Sequence, residues 1–505
     1  MRFLKLFFSR FIIVALLILI QLAFYFGVWF YLEQKYIAVQ IIGYILAVLV
    51  GVSILGRNQS AAYKLPWIVI ILLFPLAGVF LLLAFGRVKL TKKQTQRFKD
   101  VYEVTQNAVS EPSEELTSSQ AYGQSSYILN TCHLPAFNNT YNEYLPTGEI
   151  YFARLKEEIQ KASKYIFMEY FIVEYGQIWD EIHEILLEKV KSGVKVYFMY
   201  DDIGSISKVR YNFHRKLREE GINAVVFSRF FPLAAAFHNN RDHRKITVID
   251  GEVAFTGGIN LADEYANIKE VFGKWKDSGI ILKGQAVDSF VALFLQNYNV
   301  MTSKQIQIDD YICKNHQVYE ETGFVQPYGD GPRPISEDYV GRDIYLNIIN
   351  QSRHYLYITT PYLIVEYSII ELLCNAAKRG VDVRIITPHI PDKKTIFLMT
   401  RSSYEPLLKA GVKIYEYKPG FIHAKTFLCD DLYGVVGTVN LDYRSFVHHY
   451  ECGVWMYKTS ALKTMKADFN KMIKQDTIVM DLKNSHLKFI QRFIKNVLNL
   501  FAPLL

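Results

Sequence analysis

Apolar residues gather at the start of the chain and then fall into alternating patterns. Three apolar runs, roughly Phe11 to Leu32, Ile37 to Leu55 and Pro66 to Phe85, occupy the N-terminal region. Each approaches the ~20 residues that a helix needs to cross a ~30 Å hydrocarbon layer. The first run has no small-residue cleavage site before the second begins, so a cleaved leader does not explain the set. The pattern predicts a membrane anchor over residues 1–90 with two or three transmembrane helices, hence a multi-pass protein of the cell membrane. Arg2, Lys5 and Arg10 precede the first run, and the denser cluster Arg87, Lys89, Lys92, Lys93, Arg97 and Lys99 follows the third. The denser cluster places the soluble portion in the cytoplasm by the positive-inside rule.

The polar, Ser- and Glu-rich stretch NAVSEPSEELTSSQAYGQSS reads as part of a linker over residues 91–126. From Tyr127 the strand-like YIFMEYFIV, the amphipathic IWDEIHEILLEKVKSG and the strand-like VKVYFMYDDIG follow in turn. Such alternation predicts parallel strands with crossover helices. The pattern returns as HYLYITTPYLIVEY, IIELLCNAAKRG and VDVRIITPHIPD, and LREEGINAVVF matches LLKAGVKIYEY. Two copies of one α/β unit are therefore expected, over residues 127–310 and 311–480, with the boundary in the polar stretch near 303–335. In the tail, 481–505, Leu487, Ile490, Ile494, Val497, Leu498 and Phe501 recur at helical spacing opposite Lys488, Arg492 and Lys495. This is an amphipathic helix, either lying beside anionic lipid or packed on the domain.

With 505 residues the chain exceeds one typical domain, and a net charge of +8 suits an anionic partner, either nucleic acid or membrane. Cys132, Cys313, Cys374, Cys429 and Cys452 lack paired spacing, which reads as free thiols in a reducing compartment and not as a zinc site or disulfide framework.

The candidate chemistry lies in two strand-like segments, HRKITVID (243–250) and HAKTFLCD (423–430). Each is His-x-Lys, four further residues and Asp, followed by a small-residue turn ending in Asn: GGIN at 257–260 and GTVN at 437–440. Residues two apart on a strand share a face, so His243 with Lys245, and His423 with Lys425, can line one cleft if the halves pack about a pseudo-two-fold axis. Two imidazoles and two ammonium groups suit a phosphodiester. Lysines stabilise charge growing on the non-bridging oxygens, while one histidine attacks phosphorus and the other protonates the leaving alkoxide. Each histidine needs an orienting group on its other nitrogen, and Asp277 and Glu451 stand at equivalent places in the repeat. Asn260 and Asn440 either donate to phosphate oxygens or cap their turns. The remaining histidines, His448 and His449 among them, receive no role.

The paired motifs with their trailing G-G/T-x-N resemble the phospholipase D superfamily. Within it, NNRDHRKITVIDGEVAFTGGINLADEY and GFIHAKTFLCDDLYGVVGTVNLDYRSF are similar to the bacterial cardiolipin synthases, as are MYDDIGS, TPYLIV, LLKAGVKIYEY and the closing APLL. Gly258 and Thr438 depart from the serine common in the wider superfamily. The resemblance implies two homologous phospholipase D-like α/β halves around a shared active site. It also implies phosphatidyl transfer between two phosphatidylglycerol molecules through a phosphatidyl-histidine, with no metal, cofactor or nucleic-acid partner. It favours His243 as nucleophile. Lys245 and Lys425 would hold the phosphate, and Asp250 and Asp430 would complete the motifs, supporting the strand more than touching substrate. The rival with the same histidine pair is a membrane-anchored phospholipase D or nuclease that uses water.

Overall fold

The structure, a computed structural model, describes residues 19–20, 23–24, 26–32, 35–58, 60–86, 92–107, 116–117, 119–230, 240–302, 305–332, 336 and 338–504. It divides into two compact units, one of Met1–Lys92, Arg229–Asn240 and Phe489–Leu505, the other of Lys93–Ser228 and Arg241–Lys488.

In the first unit, α1 (Ile37–Leu55) is the one helix among the described residues long and apolar enough to cross a membrane. The third apolar run is not a single helix, unlike the continuous span that its hydropathy suggests. It breaks at Phe74 into α2 (Ala61–Leu73) and α3 (Pro75–Phe85), because Pro75 has no N–H and forces Phe74 out of the helical region, to φ −135° and ψ 78°. At 1.5 Å per residue these pieces reach only ~20 and ~16 Å. They fold back on each other: Trp67, Ile71, Val79 and Leu82 share a core with Ala47 and Ile54 of α1. A Cβ on Gly78 would lie 2.7 Å from the Ile71 Cα, so only glycine permits this approach. Of the first apolar run, residues 19–20, 23–24 and 26–32 are described and are helical, while the rest of it and the basic residues Arg2, Lys5, Arg10, Arg87 and Lys89 lie outside the described residues. At the other end of the chain, helix Phe489–Phe501 leaves Phe489, Ile490 and Phe493 exposed along its apolar side.

The predicted linker also differs. Lys92–Asn107 is a helix whose Phe98, Val101 and Thr105 are buried at helical spacing, and Tyr122–Cys132 is another. Of the stretch between them, residues 108–115 and 118 lie outside the described residues.

The second unit holds two large mixed sheets. In chain order the strands are β1 (Tyr141–Leu145), β2 (Tyr165–Tyr170), β3 (Lys195–Asp201), β4 (Asn223–Phe227), β5 (Arg241–Asp242), β6 (Ile246–Ile249), β7 (Val253–Gly257), β8 (Lys274–Lys276) and β9 (Gly279–Lys283). They continue as β10 (Phe324–Asp330), β11 (Tyr355–Thr359), β12 (Leu363–Ile364), β13 (Asp382–Pro388), β14 (Lys413–Tyr417), β15 (Gly420–Ile422), β16 (Thr426–Cys429), β17 (Tyr433–Gly437), β18 (Leu441–Asp442), β19 (His449–Tyr457) and β20 (Thr477–Met480). The first sheet runs β1-β9-β7-β6-β2-β3-β4 and the second β10-β19-β17-β16-β11-β13-β14-β20, so the two repeat one order of strands until β20 extends the second.

Along these two strand orders the parallel pairs are β2-β3-β4 and β11-β13-β14, where helices such as α4 (Gln177–Lys191) carry the chain across, and the short pairs β5-β19, β8-β15 and β12-β18 are parallel too. The strand–helix–strand segments pair in parallel as expected, whereas the strands after the His-x-Lys triplets form antiparallel hairpins. Only residues 250–252 join β6 to β7, too few for a crossover. Asp250 and Asp430 sit in these turns at positive φ (55° each), a conformation that Asp tolerates. Their carboxylates point away from the triplets: Asp250 accepts from the backbone of Ser163, Lys164 and Tyr165, and Asp430 from that of Arg353, His354 and Tyr355. Each thus ties its hairpin to the start of the neighbouring central strand. Helix α5 (Val287–Met301), which follows the first sheet, is buried from Val287 to Val300, the mark of an element enclosed on all sides.

Candidate active site

Both triplets lie just ahead of β6 and β16, not inside them, and the chain there crosses to the other half. β5 pairs with the start of β19, and the His243 N–H donates to the Tyr450 carbonyl at 2.9 Å. In the mirrored place β15 pairs with β8, and the His423 N–H donates to the Lys276 carbonyl at 2.7 Å. In each case the accepting residue immediately precedes a carboxylate. His243 Nδ1 therefore meets Glu451, 2.9–3.0 Å from its two oxygens, and His423 Nδ1 meets Asp277 at 2.6 Å. The orienting carboxylate of each histidine comes from the opposite half. Both carboxylates are fully buried, so each imidazole is held with Nδ1–H donating inward and Nε2 free for chemistry.

The lysines fall on the same side as their histidines. Lys245 Nζ donates to the His243 carbonyl at 2.5 Å, and Lys425 Nζ donates to the His423 carbonyl and lies 2.8 Å from His423 Nδ1. Burial, with Lys245, Lys425 and His423 adding repulsion, drives the His243 pKa well below its usual value. Burial and then Lys425 bring His423 down to about 4, against the pull of Asp277. Burial likewise lowers Lys245 to about 8 and Lys425 to about 7. Residues from both triplets perturb one another, so four nitrogenous groups share one poorly solvated site. Asp277 and Glu451 offset their mutual repulsion only in part. Phe171, 5.1 Å from the His243 ring, and Trp275, 5.4 Å from that of His423, wall it with aromatic surface.

A family model described as cardiolipin synthase, phospholipase D-like domain, matches residues 155–287 and 345–473. The chain belongs to this family. A second model, phospholipase D-nuclease N-terminal, matches residues 45–87, from within α1 across α2 and α3. Among similar proteins are an uncharacterised protein of Streptococcus mutans serotype c, 42% identical over 87% of this chain and 96% of that one, and a cardiolipin synthase of a Geobacillus species, 33% identical over 89% and 90%. The crystal structure of phosphatidylserine synthase from Haemophilus influenzae shares the fold, with a TM-score of 0.58 at 15% identity over 76% of this chain and 97% of that one. Membership of the cardiolipin synthase family makes the chain a phosphatidyltransferase of the phospholipase D type.

Against the family motif, the structure divides the expected residues into two groups. His243, Lys245, His423, Lys425, Asp277 and Glu451 converge, whereas Asp250 and Asp430 stand at the far ends of the hairpins. Asn260 ties its turn, donating from Nδ2 to Tyr265 Oη at 2.7 Å and accepting from the Ile172 N–H. Asn440 is buried too, but its Oδ1 has no hydrogen-bond partner.

Four further residues shape the site. Thr438 Oγ1 donates to Glu451, whereas at the equivalent place a Cβ on Gly258 would fall 2.2 Å from Asp277 Oδ1. His449 is buried with its ring 5.2 Å from that of His243 and its Nδ1 3.4 Å from Glu451, yet neither ring nitrogen has a properly directed hydrogen bond. The alternation His449-x-Glu451 on one strand was its sequence signal. Arg244, between His243 and Lys245, turns to the opposite side and donates to the carbonyls of Leu293, Asp330 and Glu451, stapling α5 to the second sheet.

Two outcomes follow from this geometry. Gly258→Ala, at a position with no positive-φ requirement, should displace Asp277 from His423 and lower kcat about 10²-fold in a folded protein; turnover equal to wild type would show that Asp277 does not set the ring. For pH, deprotonating either lysine removes a cation from the phosphate site, so kcat/KM should fall as pH rises through the range set by values of about 7 and 8. A bound phosphodiester raises both values, so the kcat limb should lie at higher pH. A kcat/KM level from about pH 6 to 9 would exclude a lysine requirement.

Proposed function

We propose that the protein makes cardiolipin and glycerol from two phosphatidylglycerol molecules through a phosphatidyl-histidine. The crossed histidine–carboxylate pairs carry this reading, because they leave two Nε2 atoms free beside two lysines at one site. His243 Nε2 attacks phosphorus as the bond to the glycerol headgroup breaks, and His423 protonates the departing oxygen. The headgroup hydroxyl of a second phosphatidylglycerol then loses its proton to His423 and attacks phosphorus, and the P–N bond breaks. Lys245 and Lys425 neutralise the non-bridging oxygens, a contribution of ~3–4 kcal/mol each by analogy with a single oxyanion donor.

His243 is the nucleophile in this scheme. Its burial among cations keeps it neutral, and its carboxylate is shared with Thr438, whereas His423 holds the shorter pair with Asp277. The incoming phosphodiester supplies the negative charge that returns His423 toward its ordinary protonation.

Labelled phosphatidylglycerol in mixed micelles should yield cardiolipin and free glycerol, with acid-labile, base-stable label on the protein in a rapid quench. His243→Ala should abolish that label. Phosphatidic acid as the sole product would establish water as acceptor, and label persisting in His243→Ala would move the nucleophile. The same proposal places the catalytic unit in the cytoplasm behind α1, on the strength of Lys92, Lys93, Arg97 and Lys99; a reporter fused after Leu505 and active only outside the cell would overturn that placement.

A further inference from the structure

A cluster of side chains off the reaction path joins the tip of the β6–β7 hairpin to the segment that follows α5. Cys313 Sγ lies 3.2 Å from Glu252 Oε1, and one donor atom each from Glu252, Cys313 and His316 all lie within 4.8 Å of one another. His316 Nε2 is 2.8 Å from Asp288 of α5, and the same carboxylate accepts from the Cys313 N–H at 3.4 Å. The other ring nitrogen, Nδ1, is buried and has no hydrogen-bond partner. An imidazole that donates one N–H to a carboxylate has its tautomer fixed, with the opposite nitrogen presented as a lone pair. This is how metal-binding histidines are commonly oriented.

Thiolate, imidazole and carboxylate together match the ligand preferences of zinc. We propose that Glu252, Cys313 and His316 bind one zinc ion, with Asp288 orienting His316 and water completing the tetrahedron. The Cys313 thiol donates its proton to the Glu252 carboxylate. Zinc takes the place of that proton, which leaves to solvent. The cluster borders a cavity of about 840 Å³ lined also by Tyr165, Asp250 and Tyr311, which gives the ion a path in. The ion would clip the hairpin that follows His243 and Lys245 to both α5 and the connector between the sheets. Those parts already meet closely, since a Cβ on Gly251 would lie 3.0 Å from the Tyr311 carbonyl oxygen.

The test uses the full chain purified in detergent, loaded with zinc sulfate, desalted and assayed by elemental mass spectrometry. Wild type should retain one zinc per chain and show a higher thermal midpoint than the chelated protein. Cys313→Ser and His316→Asn should lose both properties while keeping phosphodiester transfer, and Asp288→Asn should bind 10- to 100-fold more weakly. Cobalt in place of zinc should give a thiolate charge-transfer band in wild type that is absent from Cys313→Ser. His243, His449 and Glu451 form a second three-donor group without a thiol. One equivalent of zinc retained by Cys313→Ser would therefore place any ion there and overturn the assignment, as would a wild type that retains none.

Discussion

Each half of the catalytic unit lacks the carboxylate that its own histidine requires. A histidine whose Nδ1–H donates to a carboxylate is fixed in tautomer and direction, and here that carboxylate belongs to the partner half in both cases. The backbone enforces the exchange before any side chain acts, through the bonds from His243 to Tyr450 and from His423 to Lys276. Two sheets of like order, the enclosed helix α5 and the Arg244 staple all hold the halves in register for that exchange. A half folded alone would present an unoriented imidazole and a buried carboxylate without its donor, a costly state in a low-dielectric interior.

The electrostatics of the site follow from the same closeness. Burial lowers all four basic side chains, neighbouring cations lower His243, His423 and Lys425 further, and the two buried carboxylates compensate only in part. In the reaction proposed above, a phosphodiester would bring the negative charge that restores the protonated lysines, and binding and activation would then be one event.

Much of this was legible in the sequence, and the rest was hidden for physical reasons. The repeated triplets stand out because His and Lys at fixed spacing are unexpected in otherwise apolar segments. Asp277 and Glu451 are visible as equivalent positions, but their exchange between halves depends on the pairing of β5 with β19 and of β8 with β15, short bridges that leave no periodic trace. Alternating strands and helices marked the parallel pairs β2-β3 and β11-β13, whereas the hairpins that turn at Asp250 and Asp430 have no helix between their strands and so leave no such alternation. The third apolar run looked continuous by hydropathy, although Pro75 drives Phe74 out of the helical region and divides the run there. Lys92–Asn107 was assigned to a linker by its polar composition, while the few residues that bury, Phe98 and Val101, hold it as a helix.

The contrast between Gly258 and Thr438 reaches beyond local packing. A duplicated pocket with perfect two-fold symmetry would accept a phosphodiester in two equivalent poses, with either histidine facing phosphorus. A glycine beside the shorter carboxylate and a hydroxyl donor on the longer one make those poses unequal in energy. The degeneracy inherited from duplication is lifted, and a symmetric frame acquires a preferred direction for its substrate.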